Sequence, residues 1–289
     1  MDKSFLDAVL RHFNPYTPRS GTESVAPLLY DLARVARHET ITEFGTGFTT
    51  AFLAKAMADN HMDFLEHRKS LIERVERNKE TLINILNTQA AALSGLERDP
   101  ESISRIFESV GKIIHGDTPP ITPVPFFYAQ RYEPRLFTWE QLPEASQYVQ
   151  SLRALLRELK LEDYVTLTAG AKIDGYMSAV PAIRRPVGMA WNDFGYKLEF
   201  FEEAYPNVTT QGGLLIFHSP FDFPEEIAAV KRRLADELYR GKCEFFTLQE
   251  PHKFSQNGCF FIRKCATAYK DPRLSLKESL ECLLELAAP

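Results

Sequence analysis

The sequence lacks several features that mark whole classes of protein. It has only four cysteines, none in a Cys-x-x-Cys pair, which predicts reduced, mostly buried thiols of a cytoplasmic protein. It has no run of 18 apolar residues, so no membrane-spanning helix is expected. Its first residues lack the basic flank and apolar core of a signal peptide. Basic residues are also few: Lys and Arg total 34 against 39 Asp and Glu, and this balance argues against nonspecific nucleic-acid binding.

A strand–turn–helix unit near the N-terminus organises the rest of the chain. Residues 41–44 are prone to form a strand, Gly45 and Gly47 follow, and a helix is predicted at 51–58. Glycine permits a sharp turn and a close ligand, and a helix start offers free N–H groups. Doubly wound sheets hold nucleotide-like cofactors on such units, although the third glycine of the dinucleotide pattern is absent. Glu43 can accept from a cationic amine or bind a ribose, but a plain structural turn would also use a glycine pair.

The chain after residue 133 alternates strands and helices. Strands are predicted at 136–140, 164–168, 186–191, 214–217, 243–248 and 259–263, with helices at 143–159, 196–205 and 225–240. The last two strands have no helix between them, so the final strand must run antiparallel. With the strand at 41–44 this predicts an α/β, Rossmann-like, seven-stranded doubly wound sheet with an antiparallel last strand.

A long insertion separates the first helix from the second strand. A plain doubly wound fold would reach its second strand about 20 residues after the glycine turn. Instead, a separate amphipathic helix is predicted at 62–87, followed by further helical segments and a loop rich in proline and aromatic residues. We therefore interpret residues 60–133 as a helical insertion, a lid or a dimer arm. Residues 1–59, which precede it, form the N-terminal helices and the start of the core. Residues 134–289, which follow it, form the rest of the core and end in a tail helix at 275–287.

The Glu43-x-Gly45-x-Gly47 arrangement resembles the first motif of class I S-adenosylmethionine-dependent methyltransferases. The strand order and the Gly-Gly-Leu-Leu-Ile-Phe-His segment ending at His218 extend the resemblance to about residues 20–58 and 134–264, closest to enzymes of the small-molecule type. It implies S-adenosylmethionine (SAM) as cofactor, a small-molecule acceptor, and neither a nucleic-acid nor a membrane partner. The implied cofactor-binding residues are Glu43, Gly45, Thr46, Gly47, Phe48 and Thr49 in the turn, with Glu140, Gln141, Gly170, Ala171 and Asp193 after later strands.

Two acids compete for the end of the second strand, where the family binds the ribose diol. Glu97 fits locally, whereas Glu140 also fits the strand–helix–strand spacing that follows it, which favours Glu140. After the third strand, many related enzymes place an acid for the adenine amine. Here that position is Ala171, so adenine recognition is expected from backbone groups or from another side chain.

His218 and Asp193 are the candidate catalytic residues. Both are predicted at the carboxyl ends of strands, where ligands of doubly wound folds lie. Histidine titrates near neutral pH and suits deprotonation of an acceptor, and no residue distinguishes a hydroxyl from a nitrogen acceptor. The alternatives are a histidine bonded to a neighbour and an aspartate that caps the following helix.

Catechol-type enzymes hold a metal with an acid after the fourth strand and Asp-Asn after the fifth. Here His218-Ser219 follows the fifth, so we expect metal-independent transfer, although one Asp and one His could still bind a metal.

Candidate substrate-binding residues come from three loops. The loop at 14–21 is either a connector or a flap that brings Tyr16 or Arg19 to the cofactor. The aromatic loop with Phe127, Tyr128 and Tyr132 is either a stacking wall for a flat acceptor or a core plug. His252 lies in the loop after the sixth strand.

Two other functions stay open at this point. A nicotinamide-dependent oxidoreductase is disfavoured by the missing third glycine and by the final strand pair. A SAM-binding partner protein without catalysis is compatible with the same turn. Methyltransferases of nucleic-acid bases often carry a Pro-Pro-aromatic step after the fourth strand, whereas this chain has Asn-Asp-Phe-Gly at 192–195.

Overall fold

The computed structural model describes residues 3–15, 21–88, 131–253 and 255–265, with residues 108, 110–112, 127, 281 and 284–285. The chain divides into two compact units. One comprises Met1–Asn60 and Glu133–Thr267, and the other comprises His61–Tyr132 and Ala268–Pro289. The tail helix predicted at 275–287 lies almost wholly outside the described residues.

The first unit is built on a seven-stranded sheet. Its strands are β1 (Thr40–Phe44), β2 (Arg135–Glu140), β3 (Val165–Ala169), β4 (Met189–Asn192), β5 (Leu214–His218), β6 (Cys243–Leu248) and β7 (Cys259–Lys264). Their order across the sheet is β3-β2-β1-β4-β5-β7-β6. Strands β1 to β5 are parallel to one another, while β7 runs antiparallel to both β5 and β6. This confirms the predicted sheet and its antiparallel last strand.

Helices cover both faces of this sheet. Among the described residues, the helices of the first unit are α1 (Lys3–His12), α2 (Val25–Ala36), the N-terminal part of α3 (Phe48–Arg77), α5 (Gln147–Glu158), α6 (Lys197–Ala204) and α7 (Pro224–Tyr239). The rest of α3 and α4 (Lys79–Thr88) belong to the second unit. Side chains alternate across a strand, so Ile216 of β5 joins the core that includes α1, α2 and α5, while Leu215 and Phe217 join the core under α6 and α7. None of the described helices combines the length and the apolar character that crossing a membrane requires.

Two helix boundaries differ from those predicted. The helices expected at 51–58 and 62–87 are not separate, because α3 runs unbroken from Phe48 to Arg77 and α4 follows it. No proline or glycine interrupts residues 48–77, so nothing in the sequence stops the helix there. The helix expected to open at Pro143 begins instead at Gln147, where Ser146 Oγ accepts from Val149 N and caps it.

Candidate functional site

A cavity of about 980 Å³ lies at the carboxyl ends of β1, β2, β4 and β5. Its lining includes Thr46 after β1, Glu140 at the end of β2, Asp193 after β4 and His218 at the end of β5. Parallel strands bring these positions to one edge of the sheet, although they are far apart in sequence. Four residues that the sequence analysis placed at a ligand site therefore line one cavity.

Both glycines of the turn are required by the backbone and by close neighbours. Gly45 has φ of 92° and Gly47 has φ of 148°, values that side chains rarely tolerate. A Cβ on Gly45 would stand 3.0 Å from the carbonyl oxygen of Asp193. A Cβ on Gly47 would stand 2.1 Å from the hydroxyl of Tyr148. Any other residue at either position would therefore strain the backbone and crowd these neighbours.

The N–H groups of the turn are satisfied within the protein. Gly45 N donates to Trp139 O at 3.0 Å, and Gly47 N donates to Thr50 Oγ1 at 2.8 Å. Thr46 N makes a longer bond of 3.4 Å to Glu140 Oε2. Phosphate sites of doubly wound folds depend on free N–H groups at this place. The turn offers no such group at these three positions.

Glu43 lies in a polar cluster inside the protein and does not line the cavity. Its carboxylate accepts from the hydroxyls of Thr49 and Thr50 at 2.6 Å each and of Thr138 at 2.8 Å. Complete burial raises the pKa of Glu43 to about 7 despite these three bonds. Glu43 and Thr49 therefore support the turn from within, and their direct contact with a cofactor stays a prediction.

Glu140 is buried at the cavity wall with acceptor capacity to spare. Its Oε2 accepts from Thr46 Oγ1 at 2.8 Å, and its Oε1 accepts from Leu142 N at 2.9 Å. A carboxylate has about four acceptor sites, and Oε2 also receives the 3.4 Å bond from Thr46 N, so Oε1 is the oxygen that can accept a further bond. Gln141 lines the cavity as well. The competing acid, Glu97, lies outside the described residues.

The residues after β3 donate hydrogen bonds to Glu140 and to the loop that follows it. Gly170 N donates to Leu142 O at 2.8 Å, and Ala171 N donates to Glu140 O at 2.9 Å. Neither Gly170 nor Ala171 lines the cavity. Their contribution to adenine recognition stays a prediction.

Asp193 and His218 form a hydrogen-bonded pair. Asp193 Oδ1 lies 2.6 Å from His218 Nδ1, and the histidine is only 3% exposed. His218 Nε2 is buried and has no hydrogen-bond partner among the described residues. Leaving such a nitrogen without a partner costs about 1–3 kcal/mol. The carboxylate therefore orients the ring, and the second nitrogen remains for a ligand.

Sequence reasoning missed Lys197, which also lines the cavity. It is 1% exposed, and burial lowers its pKa to about 8. Its Nζ donates to Asn192 Oδ1 at 2.7 Å and to the Phe194 carbonyl, and it lies 5.0 Å from the centre of the Phe223 ring. The available signal was its position at the start of a helix directly after the fourth strand.

Tyr148 is a second cavity residue whose role the sequence did not indicate. It falls within the helix predicted at 143–159. In the structure its hydroxyl donates to Thr46 O at 2.6 Å, and burial raises its pKa above the usual value. A helical stripe shows which face is buried but not which polar group the ring reaches.

The predicted substrate-binding residues lie in several places. Within the second unit, Phe127 and Tyr132 pack with Phe64, at centroid distances of 5.3 Å and 5.1 Å from it. Tyr16, Arg19 and Tyr128 lie outside the described residues. His252 is exposed and does not line the cavity. Among the described residues, the Phe and Tyr side chains that do line the cavity are Phe13, Phe48, Tyr148, Phe194 and Phe223.

One cluster among the described residues has the ligand types of a metal site. Glu23, Glu250 and His252 bring their ligand atoms within 4.8 Å of one another. However, Lys253 Nζ lies 2.9 Å from Glu23 Oε1 and 2.8 Å from Glu250 Oε1. The lysine pairs with both acids, so we interpret the cluster as an ion-pair network.

Comparison with known proteins identifies the fold. No protein-family model matches the sequence, and no curated protein matches it. One similar structure is the O-methyltransferase TomG from Streptomyces achromogenes, involved in tomaymycin synthesis and solved in complex with SAM. It is 15% identical over 92% of this chain and 91% of that chain, with a TM-score of 0.53. Another is the O-methyltransferase from Bacillus cereus in complex with S-adenosylhomocysteine (SAH), 12% identical over 91% of each chain, with a TM-score of 0.51. The chain therefore has the fold of class I SAM-dependent methyltransferases, as its sequence predicts.

Proposed function

We propose that this protein is a SAM-dependent methyltransferase that acts on a hydroxyl or a nitrogen of a small molecule. The observation that carries the proposal is the buried His218 Nε2, which lacks a partner among the described residues while Asp193 holds the opposite nitrogen. This arrangement lies in the cavity at the carboxyl ends of the strands, where doubly wound folds bind ligands. The similar structures with bound SAM or SAH support the same cofactor here.

The cavity residues fit this cofactor better than they fit a dinucleotide. The N–H groups of Gly45, Thr46 and Gly47 are already bonded within the protein, which disfavours a pyrophosphate at the turn. SAM carries no phosphate, and its sulfonium and amine are cationic. Glu140 and Asp193 provide carboxylates to such a ligand, with Glu140 the candidate for the ribose diol. When bound, the cofactor would supply a methyl group on a positively charged sulfur.

In this proposal the protein supplies position and one proton acceptor. Asp193 fixes the His218 ring by accepting from Nδ1, so Nε2 is the nitrogen that accepts a proton from the substrate. The same carboxylate stabilises the imidazolium that results. Transfer to an acceptor already aligned in the cavity needs little more than this positioning.

We further propose that transfer does not use a metal ion. The Asp193 carboxylate is bonded directly to His218, and Ser219 stands where the catechol-type pattern continues with a second ligand. Among the described residues, no third His, Cys, Asp or Glu joins this pair to make a set of three. Turnover that survives a chelator would support this proposal.

Two measurements test the function. Isothermal titration with SAM, SAH and NAD separates a methyltransferase from a nicotinamide enzyme, because only the former should bind SAM and SAH. Formation of SAH is then measured on a panel of phenols, alcohols and amines. His218→Ala should lower turnover by about a hundredfold or more while cofactor affinity is retained. Full activity of this variant would refute the base assignment, and binding without turnover on any acceptor would favour a non-catalytic SAM-binding protein.

The role of residues 60–133 as a lid or a dimer arm stays a prediction. Within the second unit, Met62, Leu65 and Ile83 are exposed apolar residues, and covering such side chains favours association. Analytical ultracentrifugation over a range of concentrations would show whether the protein forms a homodimer. Substitution of Met62 and Leu65 by glutamine should then shift it towards the monomer.

A further inference from the structure

Lys197 is a buried lysine that the proposed reaction does not use. Burial of an ammonium group is costly unless hydrogen-bonding partners compensate for the lost water. Its Nζ bonds to Asn192 Oδ1 at 2.7 Å and to the Phe194 carbonyl, and it faces the ring of Phe223 at 5.0 Å. One acceptor is on the last residue of β4, and the other is in the segment that links β4 to α6. The ammonium group therefore connects two points on either side of Asp193.

The same segment is held by further bonds of Asn192. Its Oδ1 accepts from Phe194 N at 3.1 Å as well as from Lys197 Nζ, and its Nδ2 donates to Gly195 O at 3.3 Å. Asp193 N donates to Phe44 O at 2.8 Å, which fixes its backbone against β1. The conformation of the segment decides where the Asp193 carboxylate points, because the segment carries that side chain.

The backbone of Lys197 is anchored separately from its side chain. Glu226 Oε2 accepts from Lys197 N at 2.5 Å and from Leu198 N at 3.3 Å, at the first turn of α6. The start of α6 is thus tied to α7 without the ammonium group. A substitution that removes only the ammonium should release the segment before α6 while the helix stays in place.

We infer that Lys197 is a positioning residue, whose ammonium group holds residues 192–196 in the shape that sets Asp193 against His218. Its catalytic consequence rests on the proposed function, but the contact itself can be measured without a cofactor. The ammonium is occupied by Asn192 and Phe194, so we assign it to positioning and not to proton transfer.

The test compares Lys197→Met with a matched buried lysine. Lys264 Nζ also bonds to two carbonyls, Tyr205 O at 2.6 Å and Val208 O at 3.1 Å, and lies 4.2 Å from the Tyr205 ring centre. Unlike Lys197 it does not line the cavity. Lys264→Met therefore controls for the loss of a buried ammonium as such.

The readout is the His218 Nδ1 proton in spectra of protein labelled with ¹⁵N-histidine, assigned by its absence in His218→Asn. A proton held in a 2.6 Å bond to Asp193 should give a low-field, slowly exchanging resonance. We expect it in the parent and in Lys264→Met, and we expect it to be lost or broadened in Lys197→Met. Thermal unfolding verifies that each variant is folded.

An unchanged resonance in folded Lys197→Met would overturn the inference. If that variant does not fold, Asn192→Ser removes the same contact from the other side, and an unchanged resonance there would overturn it equally. Once an acceptor is known, turnover of Lys197→Met should fall roughly a hundredfold, the scale of a 1 Å misplacement, with SAH affinity unchanged. Failure of SAM to bind would refute the proposed function and leave the NMR result intact.

Discussion

The hydroxyl of Tyr148 occupies the space where a side chain on Gly47 would begin. It donates to Thr46 O at 2.6 Å, and a Cβ on Gly47 would lie 2.1 Å from it. Gly47 therefore leaves the space that the hydroxyl of Tyr148, on the distant helix α5, occupies. Neither residue can be changed without affecting the space left to the other.

Gly47→Ala should destabilise the protein by about 1–3 kcal/mol, since it adds an unfavourable backbone angle to a clash. Tyr148→Phe removes the clashing hydroxyl and should cost about 1 kcal/mol for the lost hydrogen bond. We expect the double variant to be more stable than the sum of the two costs predicts, by at least about 0.5 kcal/mol. Urea unfolding of the four proteins measures this coupling, and strictly additive costs would contradict it.

Glu140→Gln should weaken binding of SAH by about 1–3 kcal/mol, because it removes a charged acceptor from the cavity wall. Glu144→Gln is the matched control, since Glu144 lies nearby in sequence but is exposed and pairs with Arg153. Isothermal titration of both variants measures the difference. If Glu97→Ala weakens binding and Glu140→Gln does not, the ribose assignment is wrong.

The buried carboxyl of Glu43 should make stability fall as pH rises. Burial raises its pKa from 4.5 to about 7, so the folded state keeps the proton over a range in which the unfolded chain loses it. The stabilisation is complete below pH 4.5 and is lost by about pH 7, a loss on the order of 3 kcal/mol. Urea unfolding of the parent and Glu43→Gln at pH 5 and pH 8 isolates this contribution. Equal differences at the two pH values would refute it.

The buried ring of His38 should make stability fall as pH falls, the opposite of the effect of Glu43. Its ring lies against Gly188, where a Cβ would meet His38 Cγ at 2.0 Å, and burial lowers its pKa from 6.5 to about 4. The unfolded chain therefore gains a proton first, and stability present above pH 6.5 is lost as pH falls towards 4. His38→Asn should show a smaller loss than the parent between pH 7 and pH 4.5 in chemical unfolding. A parent and a variant with the same acid dependence would rule this out.

The sequence was sufficient for the sheet because its signals are local. Short apolar segments alternate with amphipathic helices, and the two final strands lack a crossover, so the direction of β7 followed from chain connectivity. Helix ends were predicted less accurately because Pro143 and Ser146 both suit a helix start. Only the structure shows that Ser146 makes the cap.

The site was predicted where it depends on strand ends and missed where it depends on distant contacts. The succession of strands along the chain was enough to place Glu140, Asp193 and His218 at the carboxyl-terminal edge of the sheet. The hydroxyl of Tyr148 and the ammonium of Lys197 were not predicted, because their partners depend on tertiary packing. The environment of Glu43 was missed for the same reason, since all five residues of β1 are buried and its carboxylate is bonded to threonines.

The place of β7 between β5 and β6 sets the order in which the sheet can be completed during synthesis. Strand β6 leaves the ribosome first, yet its neighbour in the sheet is β7. Until residue 264 has emerged, β6 has no strand beside it and β5 is an open edge. Open edges of this kind pair readily with other chains. The nascent protein is therefore most exposed to aggregation just before its last strand appears, and a premature stop after β6 would leave both edges unpaired.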